Sequence, residues 1–198
     1  DFCLSRGLGD VYKRQALKFA CETEIKGKLL VNHQWVQGIL GKMHSNVVMG
    51  RLAYLEANYA NCHRGVFEMM QLKPFYYYLK TMPPSYFKLL EPVLMEKGIA
   101  NWLMSKLYLD WKKTEDVHCT HGLSSLVKIS GSDIGLRNCQ LAMDLMGEAG
   151  LRHDKGMEKR LRDAKLLQIY DGSNQMCLMT MFNYLIAPVS PQIRVFEK

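Results

Sequence analysis

Residues 146–175 of this 198-residue chain, MGEAGLRHDKGMEKRLRDAKLLQIYDGSNQ, gather its densest set of groups able to do chemistry. Gly147 and Gly150 can relieve a tight turn, a basic stretch with Arg160-Leu161-Arg162-Asp163 follows, and Asp171-Gly172-Ser173 stands at the next break. A carboxylate on such a turn, beside the start of another helix, is well placed to point into a cleft. The same residues also read as helix punctuation, with Asp171-Gly172 ending one helix and Ser173 or Asn174 opening the next. His118-Cys119-Thr120-His121 and Cys62-His63 are zinc-ligand types, but no paired C-x-x-C accompanies them, so no metal site is expected. The sequence contains no G-x-x-x-x-G-K-[S/T], G-x-S-x-G or H-E-x-x-H, which leaves phosphate-loop, hydrolase-elbow and zincin chemistry without support.

The elements that must position these residues are helical. ALKFACETEIKG, from Ala16, reads as a helix tail stopped by Gly27. From Gln34 to about Asn61, Val36, Ile39, Leu40, Met43, Val47 and Leu55 recur at three- and four-residue intervals and make one apolar stripe. Ser124 to Met146 repeats that pattern and stops at Gly147, a third unit spans roughly 156–170, and a fourth runs from about Ser173 to Ala187 before Pro188. No alternating strand pattern stands out. The expected fold is all-α, an antiparallel up-and-down four-helix bundle over 16–187 with a tail at 188–198. Residues 66–116 are aromatic and Met-rich and broken by Pro74, Pro83, Pro84 and Pro92. They read as an inserted helical segment that packs on the bundle, with covering an acyl tunnel or lying on a membrane surface as the functional alternatives.

Composition sets outer bounds. An apolar fraction of 48% with 23% charged residues excludes a disordered chain. The net charge of +7 suits nucleic acid, an anionic membrane or a phosphate-bearing cofactor, but the basic residues are spread along the whole chain, so no dedicated nucleic-acid face is expected. Six cysteines without regular spacing favour a reduced, cytoplasmic setting. The first fifteen residues, DFCLSRGLGDVYKRQ, have no sustained apolar period and resemble translated adaptor sequence. They are expected to form a non-native or disordered leader, with the natural protein beginning further upstream.

The pattern L-R-D-A-K-x-x-Q-I-Y-[acid]-G-[S/T] at 161–173 resembles the signature near the C-terminus of acyl-CoA dehydrogenases. ALKFACETEIKGKLLVNHQWVQ at 16–37 is similar to the family's A-x-x-Y-A-x-x-R-x-x-F-G-x-x-I-x-x-H-Q-x-V-Q segment, and SSLVKISGSDIG at 124–135 to its A-S-x-x-K helix. The chain thus resembles the C-terminal helical domain of a flavin-dependent acyl-CoA dehydrogenase, truncated at its N-terminus and inactive by itself. The resemblance implies α,β-dehydrogenation of an acyl-CoA to a trans-2-enoyl-CoA with FAD as cofactor. It also implies an electron-transfer flavoprotein or similar acceptor and a homotetramer or homodimer. An acyl-CoA oxidase with the same flavin chemistry and a non-enzymatic module binding acyl chains or a membrane surface are the alternatives.

By position the resemblance gives Asp171 the role of catalytic base, where the family usually has glutamate; some branches carry the base on a helix upstream of residue 16. Ser173 and Gln175 match a Thr and a Gln on the ADP side of FAD, and Gly147 matches the first glycine of the Q-x-x-G-G-x-G turn. Other positions depart from the pattern: Thr23 replaces the arginine of R-x-x-F-G, Lys26 its phenylalanine, Asp144 the glutamine and Glu148 the second glycine. Two acids there would repel a pyrophosphate, and Lys26 is the residue that could restore positive charge.

Overall fold

The computed structural model describes residues 2–64, 73–81 and 113–189, together with 68, 83, 85, 86, 98, 102, 105 and 106. Most of the 66–116 segment and residues 190–198 lie outside the described residues. The chain is mostly helical. In order come α1 (Phe2–Glu22), a two-stranded antiparallel hairpin of β1 (Glu24–Ile25) and β2 (Lys28–Leu29), and α2 (Gln34–Arg64). These are followed by α3 (Lys73–Thr81), α4 (Thr114–Met146), α5 (Glu148–Leu151), α6 (Met157–Leu166) and α7 (Asn174–Met181), the last continued by a π turn at Phe182–Ile186. Two compact units divide the chain, one of residues 1–55 and 124–182 and the other of 56–123 and 183–198.

The first unit holds the core that matters for the site. Tyr12, Ala16 and Ala20 form a one-sided strip on α1, Val36 and Met43 do so on α2, and Cys139, Ala142, Leu145 and Met146 on α4; Met157 and Ala164 of α6 complete the cluster. The three- and four-residue spacing places each set on a single helix face, where burial removes its apolar surface from water. Burial also pushes the Cys139 thiol up to about 12, so it sits in this core as a neutral, apolar group. Asn138, fully buried, ties the helices together: its amide donates to the Met43 carbonyl at 3.1 Å and its oxygen accepts from Asn46 Nδ2 at 2.8 Å.

Three expectations need correction. In the stretch 1–15, expected to be a non-native or disordered leader, residues 2–15 are helical and run on into Ala16 as α1. Tyr12 is 0% exposed in the core. Gln15 Nε2 donates to the Lys155 carbonyl at 2.6 Å, and Asp10 holds Lys13 at 2.7 Å, Arg14 at 2.8 Å and Arg51 of α2 at 4.0 Å. The hydrogen bond from Lys13 is the main reason the Asp10 carboxyl lies below the ordinary range. The strip was missed because one tyrosine and two alanines give little apolar periodicity. Second, Gly27 does not stop a helix; α1 ends at Glu22, and Lys26 (φ 53) and Gly27 (φ 74) are the central pair of the hairpin turn. Positive φ at both positions matches the right-handed twist of the flanking strands, so a short hairpin forms where no strand was expected. Third, α4 begins at Thr114, ten residues before the expected start at Ser124, with Glu115 and Asp116 in its first turn facing the positive end of the helix dipole.

In the second unit, Ala57 and Ala60 of α2 are buried, and Thr120 is buried with its hydroxyl donating to the Asp116 carbonyl at 3.1 Å. Arg64 lies 3.8 Å from Cys119 Sγ and 4.0 Å from Asp116. His118 and His121 flank the Tyr184 ring at 5.1 and 5.3 Å. Among the described residues no group of three or more His, Cys, Asp or Glu side chains converges as metal ligands.

Candidate functional site

The candidate site is built on the turn between α6 and α7. α6 closes at its cap residue Leu167, and the chain then passes through Asp171 (φ 53) and Gly172 (φ 95), both left-handed, before Ser173 opens α7. Gly172 adopts this conformation at no steric cost, while Asp171 needs support from its surroundings. Ser173 is the N-cap of α7, its Oγ accepting from the Met176 amide at 3.4 Å. The punctuation reading of Asp171-Gly172-Ser173 therefore describes the local backbone correctly. It leaves the Asp171 side chain exposed at the tip of the turn.

Beside the turn lies a cleft of about 370 Å³, with Ile129, Ile169 and Leu178 on its apolar side and Asp133, Lys165 and Gln175 among its polar lining. Gln175 is exposed on the first turn of α7, where main-chain N–H groups and the positive end of the helix dipole face outward. The structure therefore brings Asp171, Ser173 and Gln175 to one turn. It places the other two candidates on separate elements, Lys26 at the exposed hairpin tip and Gly147 at the junction of α4 and α5.

Gly147 adopts φ 54, ψ −131, a backbone state close to glycine-only, and a Cβ built there meets nothing within 4 Å. The requirement for glycine is thus conformational, and the open space beside it is what a bound group could occupy. Gly147→Ala is expected to lower stability by about 1–3 kcal/mol through backbone strain alone, read from denaturant unfolding. A change below about 0.5 kcal/mol would show that the junction relaxes freely. Nearby Asp144 and Glu148 are exposed. Arg162, in the signature stretch, forks onto Glu158 one turn earlier at 2.6 and 3.1 Å, an exposed pair worth little to stability.

Spacing along the chain pointed to no role for the side chains beneath the turn. Lys128 and Asp133 of α4, Gln168 and Asn174 form a hydrogen-bonded set there, and Asn174 is only 9% exposed. The available signal was weak. Lys128 is the lysine of the A-S-x-x-K resemblance, but nothing in its spacing shows that it reaches α7.

Comparison with known proteins bears on the sequence and the fold. Residues 107–185 match the family model described as "Acyl-CoA dehydrogenase, C-terminal domain". The match begins inside the 66–116 segment that was expected to be an insertion. Cyclohex-1-ene-1-carbonyl-CoA dehydrogenase of Geobacter metallireducens is 38% identical over 64 residues, 32% of this chain and 17% of that protein. Butyryl-CoA dehydrogenase from Megasphaera elsdenii superposes on 90% of this chain and 33% of its own, with a TM-score of 0.57 at 17% identity. A structure described as the electron transferring flavoprotein of Acidaminococcus fermentans superposes on 92% of this chain and 34% of its own, with a TM-score of 0.56 at 18% identity. At these identities the likeness to the solved structures is one of helical fold. The matched stretch, residues 107–185, is similar to the C-terminal domain of acyl-CoA dehydrogenases. The chain spans about a sixth of the length of the curated relative and about a third of the solved chains.

Proposed function

We propose that this chain is the helical domain of an FAD-dependent enzyme that converts an acyl-CoA to a trans-2-enoyl-CoA, working in a reduced, cytoplasmic setting. The observation that supports the reading is the turn between α6 and α7, where Asp171 stands exposed, Ser173 caps α7 and Gln175 lines the adjoining cleft. The up-and-down four-helix arrangement, the homotetramer or homodimer and an electron-transferring flavoprotein as acceptor are parts of the same proposal.

The residues present fit FAD on two counts. The exposed Gln175 carboxamide and the positive end of α7 suit the ADP side of the cofactor, and the open backbone at Gly147 admits a close approach. FAD, when bound, supplies the two-electron acceptor for the β-hydrogen of the substrate. The residues of this chain do the rest. Asp171 removes the α-proton as the α C–H bond breaks, and the electron pair of that bond becomes the new α,β double bond as the β-hydrogen departs with its own pair. Ile129, Ile169 and Leu178 give the cleft an apolar side against which an acyl chain can lie.

The test is made on the full-length protein. It should purify with stoichiometric bound flavin that bleaches anaerobically on adding an acyl-CoA, whereas the 198-residue chain alone should hold no stoichiometric flavin. A colourless full-length protein, or a flavin that no acyl-CoA reduces, would sink the reading. Rapid reoxidation of the reduced enzyme by air would select the oxidase alternative.

A further inference from the structure

We infer that Lys128 and Asp133 of α4, acting through the Asn174 side chain, are positioning residues for the turn that presents Asp171; the inference rests on the proposal that Asp171 is the base. Asp171 and Gly172 are consecutive left-handed residues, a conformation that aspartate tolerates at a modest cost and that packing around the turn can hold in place. α4 provides that hold at both ends of the turn. The Lys128 ammonium donates to the Leu167 carbonyl at 2.8 Å, where α6 stops, and to Asn174 Oδ1 at 2.9 Å, where α7 starts. On the other side, Asp133 Oδ1 accepts from Gln168 Nε2 at 2.6 Å and from Asn174 Nδ2 at 2.8 Å. The Asn174 backbone amide closes the loop on itself by donating to the Gln168 carbonyl at 2.9 Å.

Chemistry fixes the orientation of the Asn174 carboxamide. Its oxygen faces a cation and its NH₂ faces a carboxylate, so a half-turn would set donor against donor and acceptor against acceptor. Ser132, buried between them, accepts from Asn174 Nδ2 at 2.9 Å and donates into α4 at the Lys128 carbonyl, 2.9 Å. Lys128 and Ser132 stand at i and i+4 on one face of α4, with Asp133 the next residue, so all three side chains that hold the Asn174 carboxamide come from one stretch of one helix. Capping α7 requires none of this, since Ser173 already caps it. What the network adds is a fixed distance between the end of α6 and the start of α7, and with it the place of Asp171. A misplacement of about 1 Å is enough to cost roughly a hundredfold in rate.

The experiment uses the full-length enzyme with Lys128→Met, Lys128→Arg, Asn174→Leu and Asp133→Asn, and with Asp171→Asn in parallel. Lys128→Met and Asn174→Leu are expected to lower kcat roughly a hundredfold with little change in KM. They should also displace the acidic limb of the pH-rate profile while leaving flavin content unchanged. Lys128→Arg and Asp133→Asn, which keep a donor and an acceptor in place, should stay within about tenfold of the parent. A kcat and acidic limb unmoved in Lys128→Met overturns the inference. Should Asp171→Asn keep full turnover, it is the base assignment that fails, and amide hydrogen exchange of residues 168–174 then decides the network. Faster exchange confined to that turn in Lys128→Met upholds it; unchanged exchange overturns it. If Asn174→Leu does not fold, Lys128→Met, whose long apolar stem preserves packing, decides between the two outcomes.

Discussion

Asp171→Asn in the full-length protein is expected to lower kcat by roughly a thousandfold while leaving flavin binding intact, because asparagine preserves the shape of the turn but cannot take a proton. Asx residues tolerate the left-handed region, so φ 53 at this position is open to asparagine as well as aspartate and the variant should fold. The decisive measurement is the anaerobic rate of flavin reduction by an acyl-CoA, which isolates the chemical step from product release. Asp171→Glu tests reach. The family position usually holds the longer acid, so the glutamate variant is expected to retain turnover within about tenfold of the parent. If Asp171→Asn reduces flavin at the parent rate, the base lies elsewhere, on a residue outside this turn.

Tyr12→Ala is expected to destabilise the 198-residue chain by about 3–5 kcal/mol, the cost of emptying an aromatic site in a packed core. Tyr12 is 0% exposed and lies in the same cluster as Ala16, Met43, Cys139 and Met157. For a domain of this size the loss corresponds to a fall in melting temperature on the order of 10 °C. Tyr12→Phe should behave in the opposite way. The buried Tyr12 hydroxyl has no hydrogen-bond partner among the described residues, and burial pushes it up to about 12. Deleting that group removes a desolvation cost and leaves the ring in place, so the phenylalanine variant is expected to be neutral or more stable by about 1 kcal/mol. Thermal unfolding of both variants distinguishes the two views of the N-terminal residues. Two unchanged melting temperatures would return residues 9–15 to a leader outside the fold.

Most of the architecture was legible before any coordinates. Of the apolar stripe expected from Val36 to Leu55, Val36, Met43 and Val47 lie on a buried face of α2 while Leu55 is 58% exposed, and the counterpart ending at Met146 is buried at Val127, Leu141, Ala142, Leu145 and Met146, as a period near 3.6 requires of a helix with one side in the core. The breaks at Gly147 and at Asp171-Gly172 were legible too, since glycine and Asx residues mark places where the chain leaves helical φ. Less legible was α1, whose strip of Tyr12, Ala16 and Ala20 is too small to raise the periodicity. The Lys26-Gly27 hairpin also escaped, because its strands are two residues long and carry no alternation.

By itself, then, the sequence determined the helical class, the location of the turns and, through the order of L-R-D-A-K-x-x-Q-I-Y-D-G-S, the identity of the residues that a family likeness assigns to the site. Those are local properties, written in spacing and in residue type. The tertiary structure alone decided what stands beneath the turn. Lys128 and Asp133 are separated from Asn174 by 46 and 41 positions, and only the packing of α4 against the α6–α7 junction brings their charges to within 2.9 and 2.8 Å of one carboxamide. Hydrogen bonds depend on distance and angle rather than on order along the chain. Asp171 was therefore visible as a candidate in the sequence, and the residues that hold it became visible only in the fold.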